Sequence, residues 1–162
     1  MTVTLVLGGA RSGKSAAAER RAGSGPVTYL ATGVSDPDDG DMADRIAAHR
    51  ARRPSTWTTV ECGDLIAAVH DSAGTVLVDS LTTWVARSPE FSVDSRSLCR
   101  ALAEHAGEII VVSDEVGLGV HPSSEAGRRF RDALGLANQA VAAIADDVLF
   151  VVAGRVLRMD PA

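Results

Sequence analysis

Gly8-Gly9-Ala10-Arg11-Ser12-Gly13-Lys14-Ser15 decides how this chain is read. It follows the apolar run Val3-Thr4-Leu5-Val6-Leu7 and opens onto Ala16-Ala17-Ala18-Glu19-Arg20, so the spacing predicts a strand, a glycine-rich loop and a helix in succession. The eight residues match the phosphate-binding pattern G-x-x-x-x-G-K-[ST] in the strand–loop–helix setting that pattern needs. Glycines let the backbone curl with its N–H groups turned inward around a polyphosphate. The helix that follows adds the positive end of its dipole. Lys14 is placed to reach the β- and γ-phosphates, and the Ser15 hydroxyl to sit on Mg²⁺. Lys14 is also the only lysine in the chain, every other cationic side chain being arginine. A compact ammonium is thus kept at the one place where a point charge on phosphate is wanted.

The remaining pattern alternates strands and helices. Helix is expected over residues 15–22, closed by Gly23-Ser24-Gly25-Pro26, with strand over Val27–Thr32. A loop from Gly33 to Gly40 precedes a helix over residues 41–52, with Met42 and Ile46 inward and Pro54 after it. Strands follow at Trp57–Glu61 and Thr75–Asp79, separated by one or two helical turns from Asp64 to His70. Leu81 to Val85 reads as a turn or helix start. An amphipathic helix over 94–106 and a strand over 108–113 come next, then a loop from Asp114 to Ser124. A long helix over 125–145 leads into a hairpin, Val148–Val152 and Arg155–Met159 around Ala153-Gly154. Such alternation implies an α/β fold over residues 1–162 as one domain: a mainly parallel sheet, helices on both faces, and a C-terminal antiparallel hairpin.

Composition narrows the function. Net charge is −5 and the pI about 5.3, with no basic tract, which argues against a nucleic-acid binder. Cys62 and Cys99 form no CxxC pair, so neither a disulfide framework nor a zinc site is indicated. No leader is expected ahead of the first strand and no apolar run reaches about 18 residues, so a cytoplasmic protein without a membrane span is expected.

In a parallel α/β sheet, ligands meet the carboxyl ends of the strands, and this ranks the polar residues. Asp79 closes an apolar strand downstream of the phosphate loop, the arrangement that orients Mg²⁺ in nucleotide-hydrolysing folds. Asp114 and Glu115 follow another strand, and either orient metal, water or a substrate hydroxyl or are simply solvated acids. Glu61 ends a third strand, in reach of a base or ribose. His70, His105 and His121 read as solvated or loop histidines. His49 lies among Arg45, Arg50, Arg52 and Arg53, a cluster that would neutralise polyphosphate and hold the imidazole neutral and nucleophilic. From the pattern alone, a solvated basic helix face is the plainer reading of it.

Several blocks taken together resemble the bifunctional adenosylcobinamide kinase / adenosylcobinamide-phosphate guanylyltransferase family of cobalamin biosynthesis. They are residues 8–15 with Tyr29-Leu30-Ala31-Thr32, Arg45-Ile46-Ala47-Ala48-His49-Arg50 with Arg53-Pro54, and Trp57-Thr58-Thr59-Val60-Glu61. Val78-Asp79-Ser80-Leu81-Thr82, Ser113-Asp114-Glu115-Val116-Gly117, and Phe130-Arg131-Asp132 with Gly135 and Asn138-Gln139 continue the order. That family usually reads Asn-Glu where Asp114-Glu115 stands here. The resemblance implies a P-loop domain with a RecA-like sheet, assembled as a homotrimer. It implies phosphorylation of adenosylcobinamide by ATP or GTP, then transfer of GMP from GTP through a guanylylated histidine, here His49. Carried over with it as nucleotide contacts are residues 8–15, Ala31, Thr32, Gly33, Arg50, Ala51, Arg52, Arg53, Glu61 and Asp79, with Lys14 catalytic and Ser15 and Asp79 on Mg²⁺. The alternatives are a P-loop small-molecule kinase without a covalent intermediate and a nucleotide-binding regulatory module.

Overall fold

Long apolar runs in strands have to be covered on both sides, and this requirement shapes the sheet. The computed structural model describes residues 2–33 and 53–161. Its strands are β1 (Thr2–Gly8), β2 (Val27–Ala31), β3 (Trp57–Glu61), β4 (Thr75–Asp79), β5 (Glu108–Asp114), β6 (Asp147–Val152) and β7 (Arg155–Met159). The helices are α1 (Lys14–Ala22), α2 (Leu65–His70), α3 (Leu81–Arg87), α4 (Ser95–Glu104) and α5 (Glu125–Ala142), with a 3₁₀ turn at Pro89–Phe91. The expected helix over 41–52 lies outside the described residues.

The strands form one sheet in the order β3-β2-β4-β5-β1-β6-β7, parallel except for β7, which pairs antiparallel with β6. β1 runs between β5 and β6, with Gly8 opposite Asp114 on one side and Val151 on the other. Alternate residues of the central strands pack to opposite faces. Val3, Leu5, Val76, Val78, Ile109 and Val111 meet Leu65, Leu81, Leu98, Leu102, Leu134 and Val141 of α2 to α5. Val6, Tyr29, Leu77, Ile110, Val112 and Val151 meet Ala17 and Ala18 of α1. Helices on both faces of a parallel sheet, with the terminal hairpin antiparallel, are the architecture expected. The small residues of α1 let it lie close over β1, which holds the loop between them short and tight.

Several boundaries differ from the sequence reading by a residue or more, and four of the differences bear on the packing or the site. Helix α3 is a full helix from Leu81, because the Ser80 hydroxyl accepts from the Thr83 N–H and the Thr83 hydroxyl answers the Ser80 N–H. Helix α4 stops at Glu104, where His105 turns to extended backbone. Its ring is buried, not solvated, and Nε2 lies 2.8 Å from the Gly74 carbonyl. Helix α5 ends at Ala142, short of Ala145, as the Ile144 N–H reaches back only three residues, to the Val141 carbonyl. Strand β5 continues through Asp114, which is therefore held in the sheet and is not the first residue of a loop.

The buried stripe of α5 sets a stability contrast. Leu134→Ala, at a fully buried position, should lower unfolding free energy by about 2–5 kcal/mol. Leu136→Ala, at a position 66% exposed on the same helix, should change it by less than about 0.5 kcal/mol. Urea denaturation of the two variants checks this, and equal effects would contradict the packing described.

Candidate active site

The carboxyl edge of the sheet collects the residues that carry charge. Between β1 and α1 the loop doubles back, with the Ser12 N–H donating to the Gly9 carbonyl at 3.2 Å. Gly8 has no room for a side chain: a Cβ there would press on Ser12 Oγ and lie 2.7 Å from the Val151 carbonyl oxygen. Gly13 adopts φ 95° and would carry a Cβ only 3.3 Å from Gly154 Cα. The β6–β7 turn thus abuts the loop from outside, and the Gly154 N–H donates to the Ser12 carbonyl at 2.8 Å.

Helix α1 differs from its neighbours at its start. Asp64, Ser80, Asp94 and Ser124 cap α2, α3, α4 and α5 with side-chain oxygens. Gly13 gives α1 no such cap. Its first amides and the positive end of its dipole therefore face the loop without a side-chain acceptor, the setting that suits an anion. Lys14 folds over this concavity, with Nζ 3.3 Å from the Gly9 carbonyl and 2.5 Å from Asp114 Oδ1.

Asp114 is held from both sides. Its N–H donates to Thr82 Oγ1 at 2.9 Å, and its carbonyl accepts from Asn138 Nδ2 at 3.1 Å. The buried Ser113 hydroxyl fixes that amide by donating to Asn138 Oδ1 at 2.6 Å. Next in the chain, the Glu115 N–H donates to the Gly8 carbonyl at 3.1 Å, tying β5 directly to the phosphate-loop strand.

Asp79 stands two strands from Gly8, about 10 Å across the sheet. The Tyr29 hydroxyl donates to its Oδ2. Burial pushes the Tyr29 phenol far above its ordinary value of 10.0, and the Asp79 charge and hydrogen bond push it further. Tyr29 therefore stays protonated and keeps donating to the carboxylate. Arg53 lies with its guanidinium carbon 3.3 Å from the Tyr29 ring centroid and donates to Thr59 Oγ1 at 3.2 Å. It also lines a cleft of about 390 Å³ with Ala16, Glu19, Arg20 and Trp57.

At the end of β2, Thr32 is buried and locks the edge together. Its hydroxyl donates to the Ser80 carbonyl at 2.7 Å and accepts from the Ser80 N–H at 2.9 Å. Arg87 donates to the Thr32 carbonyl, and Gly33 lies against Thr83. Ser15, Asp79 and Asp114 supply hard oxygen donors at this edge, the kind that suit Mg²⁺ bound mainly through water and substrate phosphate.

Of the sequence candidates, residues 8–15 run from the end of β1 through the connecting loop into the first turn of α1, and Asp79 and Asp114 lie at the same edge of the sheet. Glu61 ends β3, four strands from Gly8 and about 19 Å across the sheet, so it belongs to a different part of that edge. His49, Arg50, Ala51 and Arg52 lie outside the described residues. Sequence reasoning leaves Asp114 open and assigns no site role to Tyr29, Thr82 or Gly154. Tyr29 does carry a signal, as the sole tyrosine on a buried strand ahead of the Ala31-Thr32-Gly33 turn.

Comparisons with known proteins show the family. The family model described as cobinamide kinase / cobinamide phosphate guanyltransferase matches residues 4–159. The chain belongs to that family. A Pseudomonas aeruginosa protein named bifunctional adenosylcobalamin biosynthesis protein CobP is 43% identical over 162 residues, covering 93% of this chain and 92% of the relative. Proteins named bifunctional adenosylcobalamin biosynthesis protein CobU, from Escherichia coli and Salmonella typhimurium, are 37% and 36% identical over 174 residues, covering 93% of this chain and 95% of theirs. Among solved structures, the P4 protein from bacteriophage phi6 in complex with ADP overlays with a TM-score of 0.47 at 16% identity. That alignment covers 96% of this chain and 54% of the P4 chain. The cobinamide kinase / cobinamide phosphate guanyltransferase family is thus the one its sequence blocks resemble, and the chain is an enzyme of that class.

Because Tyr29 is the only tyrosine, its ionisation can be followed alone. Ultraviolet absorbance titration of the folded protein should show no phenolate midpoint near 10.0. A folded-state value raised above the unfolded one stabilises the fold fully below that unfolded value and progressively less as pH climbs toward the folded one. Stability should therefore fall with rising pH above about 10. A phenolate midpoint near 10 in the folded protein would contradict the Tyr29–Asp79 contact.

Proposed function

We propose that this chain acts at one nucleotide-binding domain spanning residues 1–162, phosphorylating adenosylcobinamide and then converting the product to adenosylcobinamide-GDP. The observation that carries the phosphate-binding part is the uncapped start of α1 at Gly13, with Lys14 folded over the loop. Residues 8–15 bind the polyphosphate, and Lys14 spreads the charge that builds on the transferred group. Ser15 and Asp79 would hold Mg²⁺, which would offset phosphate charge when bound. Asp79 is oriented for this by the Tyr29 hydroxyl. Thr32 keeps the Ala31–Gly33 turn against the start of α3, beside the proposed nucleotide.

The second reaction needs a nucleophile, and His49 is the one we assign. Its imidazole nitrogen attacks the α-phosphorus of GTP, forming an N–P bond as the bond to the bridging oxygen breaks and pyrophosphate leaves. A phosphate oxygen of adenosylcobinamide phosphate then attacks the same phosphorus and the imidazole departs, giving adenosylcobinamide-GDP. Arg50, Arg52 and Arg53 are proposed to offset the phosphate charge around His49, with Ala51 and Glu61 among the nucleotide contacts. Support for this comes from the arginine-rich sequence around His49 and from the family to which the chain belongs. A homotrimer in the cytoplasm completes the reading.

Incubation with α-labelled GTP separates the two chemistries. The wild-type chain should acquire a label that survives alkali and is lost in acid, as a phosphoramidate does. His49→Ala should lose the label and keep most of its kinase turnover, because γ-phosphoryl transfer needs positioning and charge but no covalent intermediate. Retention of the label by His49→Ala would overturn the assignment.

A further inference from the structure

Lys14 has an anionic partner within the chain itself. Its ammonium lies 2.5 Å from Asp114 Oδ1, and the two side chains are only 12% and 24% exposed. Such a pair is screened little by water, so separating it is not a negligible event. The carboxylate also cannot follow the ammonium when Lys14 turns to phosphate. Asp114 is the last residue of β5, in register with Gly8, and its main chain is fixed by Thr82 and Asn138. A phosphate that takes Lys14 therefore leaves a fixed anion beside itself.

We infer that Asp114 makes the phosphate loop discriminate between metal-loaded and metal-free polyphosphate. The inference rests on the reading of residues 8–15 as the phosphate site. A metal-free polyphosphate must strip Asp114 of its cation and then sit next to the exposed carboxylate, with like charges in a poorly solvated place. Polyphosphate carrying Mg²⁺ brings a second cation, so Asp114 exchanges one positive partner for another, directly or through a metal-bound water. Asp114 thus penalises the metal-free ligand far more than the loaded one. Its ion pair with Lys14 is the contact that an incoming ligand must replace. Thr82 and Asn138 act through it as positioning residues.

The test uses inorganic tripolyphosphate, which has no base to bind elsewhere and no α-phosphoryl ester for His49 to attack. Calorimetry of the full chain should give tighter binding with Mg²⁺ than with a chelator. In Asp114→Asn, which keeps the size and both main-chain hydrogen bonds, metal-free binding should tighten and the preference for Mg²⁺ should fall by about tenfold. Asp114→Glu, which keeps the charge, should retain the preference. An unchanged preference in Asp114→Asn, with the wild type binding normally, overturns the inference alone. Failure of the wild-type chain to bind tripolyphosphate under either condition overturns the phosphate-loop reading as well.

Should Asp114→Asn fail to fold, the wild-type chain still decides, since its single lysine gives a single side-chain ammonium resonance in ¹⁵N spectra. That resonance should shift at a lower concentration of Mg·tripolyphosphate than of chelated tripolyphosphate. Identical titrations of the two would overturn the inference.

Discussion

The absence of a side chain at Gly13 is the constraint on which the active edge depends. Asp64, Ser80, Asp94 and Ser124 cap α2 to α5 with side-chain oxygens, but a side chain at Gly13 would press on the β6–β7 turn, its Cβ only 3.3 Å from Gly154 Cα. Gly13 leaves that end open and, at φ 95°, turns the loop where other residues would be strained. An open helix start is useful only if the loop before it is rigid. Gly8 packs beneath Ser12, the β6–β7 turn presses on Gly13, and Glu115 binds back to the Gly8 carbonyl. The antiparallel hairpin thus supports the loop on the side away from the acids.

On the opposite side, the sheet order decides which acid meets Lys14. β5 lies between β1 and β4, so Asp114 is the adjacent carboxylate and Asp79 stands one strand farther out. The edge is joined across the strands by hydroxyls and amides. Thr32 binds the Ser80 backbone, Thr82 accepts from Asp114, and Asn138 reaches from α5 to the same residue. A substitution at Thr82 or Asn138 would therefore act on Lys14 at one remove, through the position of the Asp114 backbone.

Much of this is legible without coordinates. Apolar runs such as Val76-Leu77-Val78 and Ile109-Ile110-Val111-Val112 have to be covered on both faces, which points to a parallel sheet between helices. The phosphate loop announces itself through spacing alone. Strand order is not legible, because it arises from long-range pairing, and the identity of the Lys14 partner is hidden with it. Burial of His105 is equally hidden, since a helix-end histidine beside charged residues looks solvated until the Gly74 carbonyl is brought to it. The end of α5 escapes the sequence for a related reason. Ala142 to Ala145 suit a helix, yet the chain must turn so that the Asp146 N–H meets the Val3 carbonyl and its carboxylate meets the Val3 N–H. Ser80-Leu81-Thr82-Thr83, by contrast, carries a readable capping signal.

If Lys14 is the cation that moves from Asp114 to phosphate, the chain offers a direct way to see it. With one lysine present, an amine-directed acylating reagent can modify only Lys14 and the N-terminus, and peptide mass spectrometry separates the two. Saturating Mg·GTP should suppress acylation of Lys14 strongly while leaving the N-terminus as reactive as before. Equal acylation of Lys14 with and without Mg·GTP would contradict the claim that this loop binds nucleotide through Lys14.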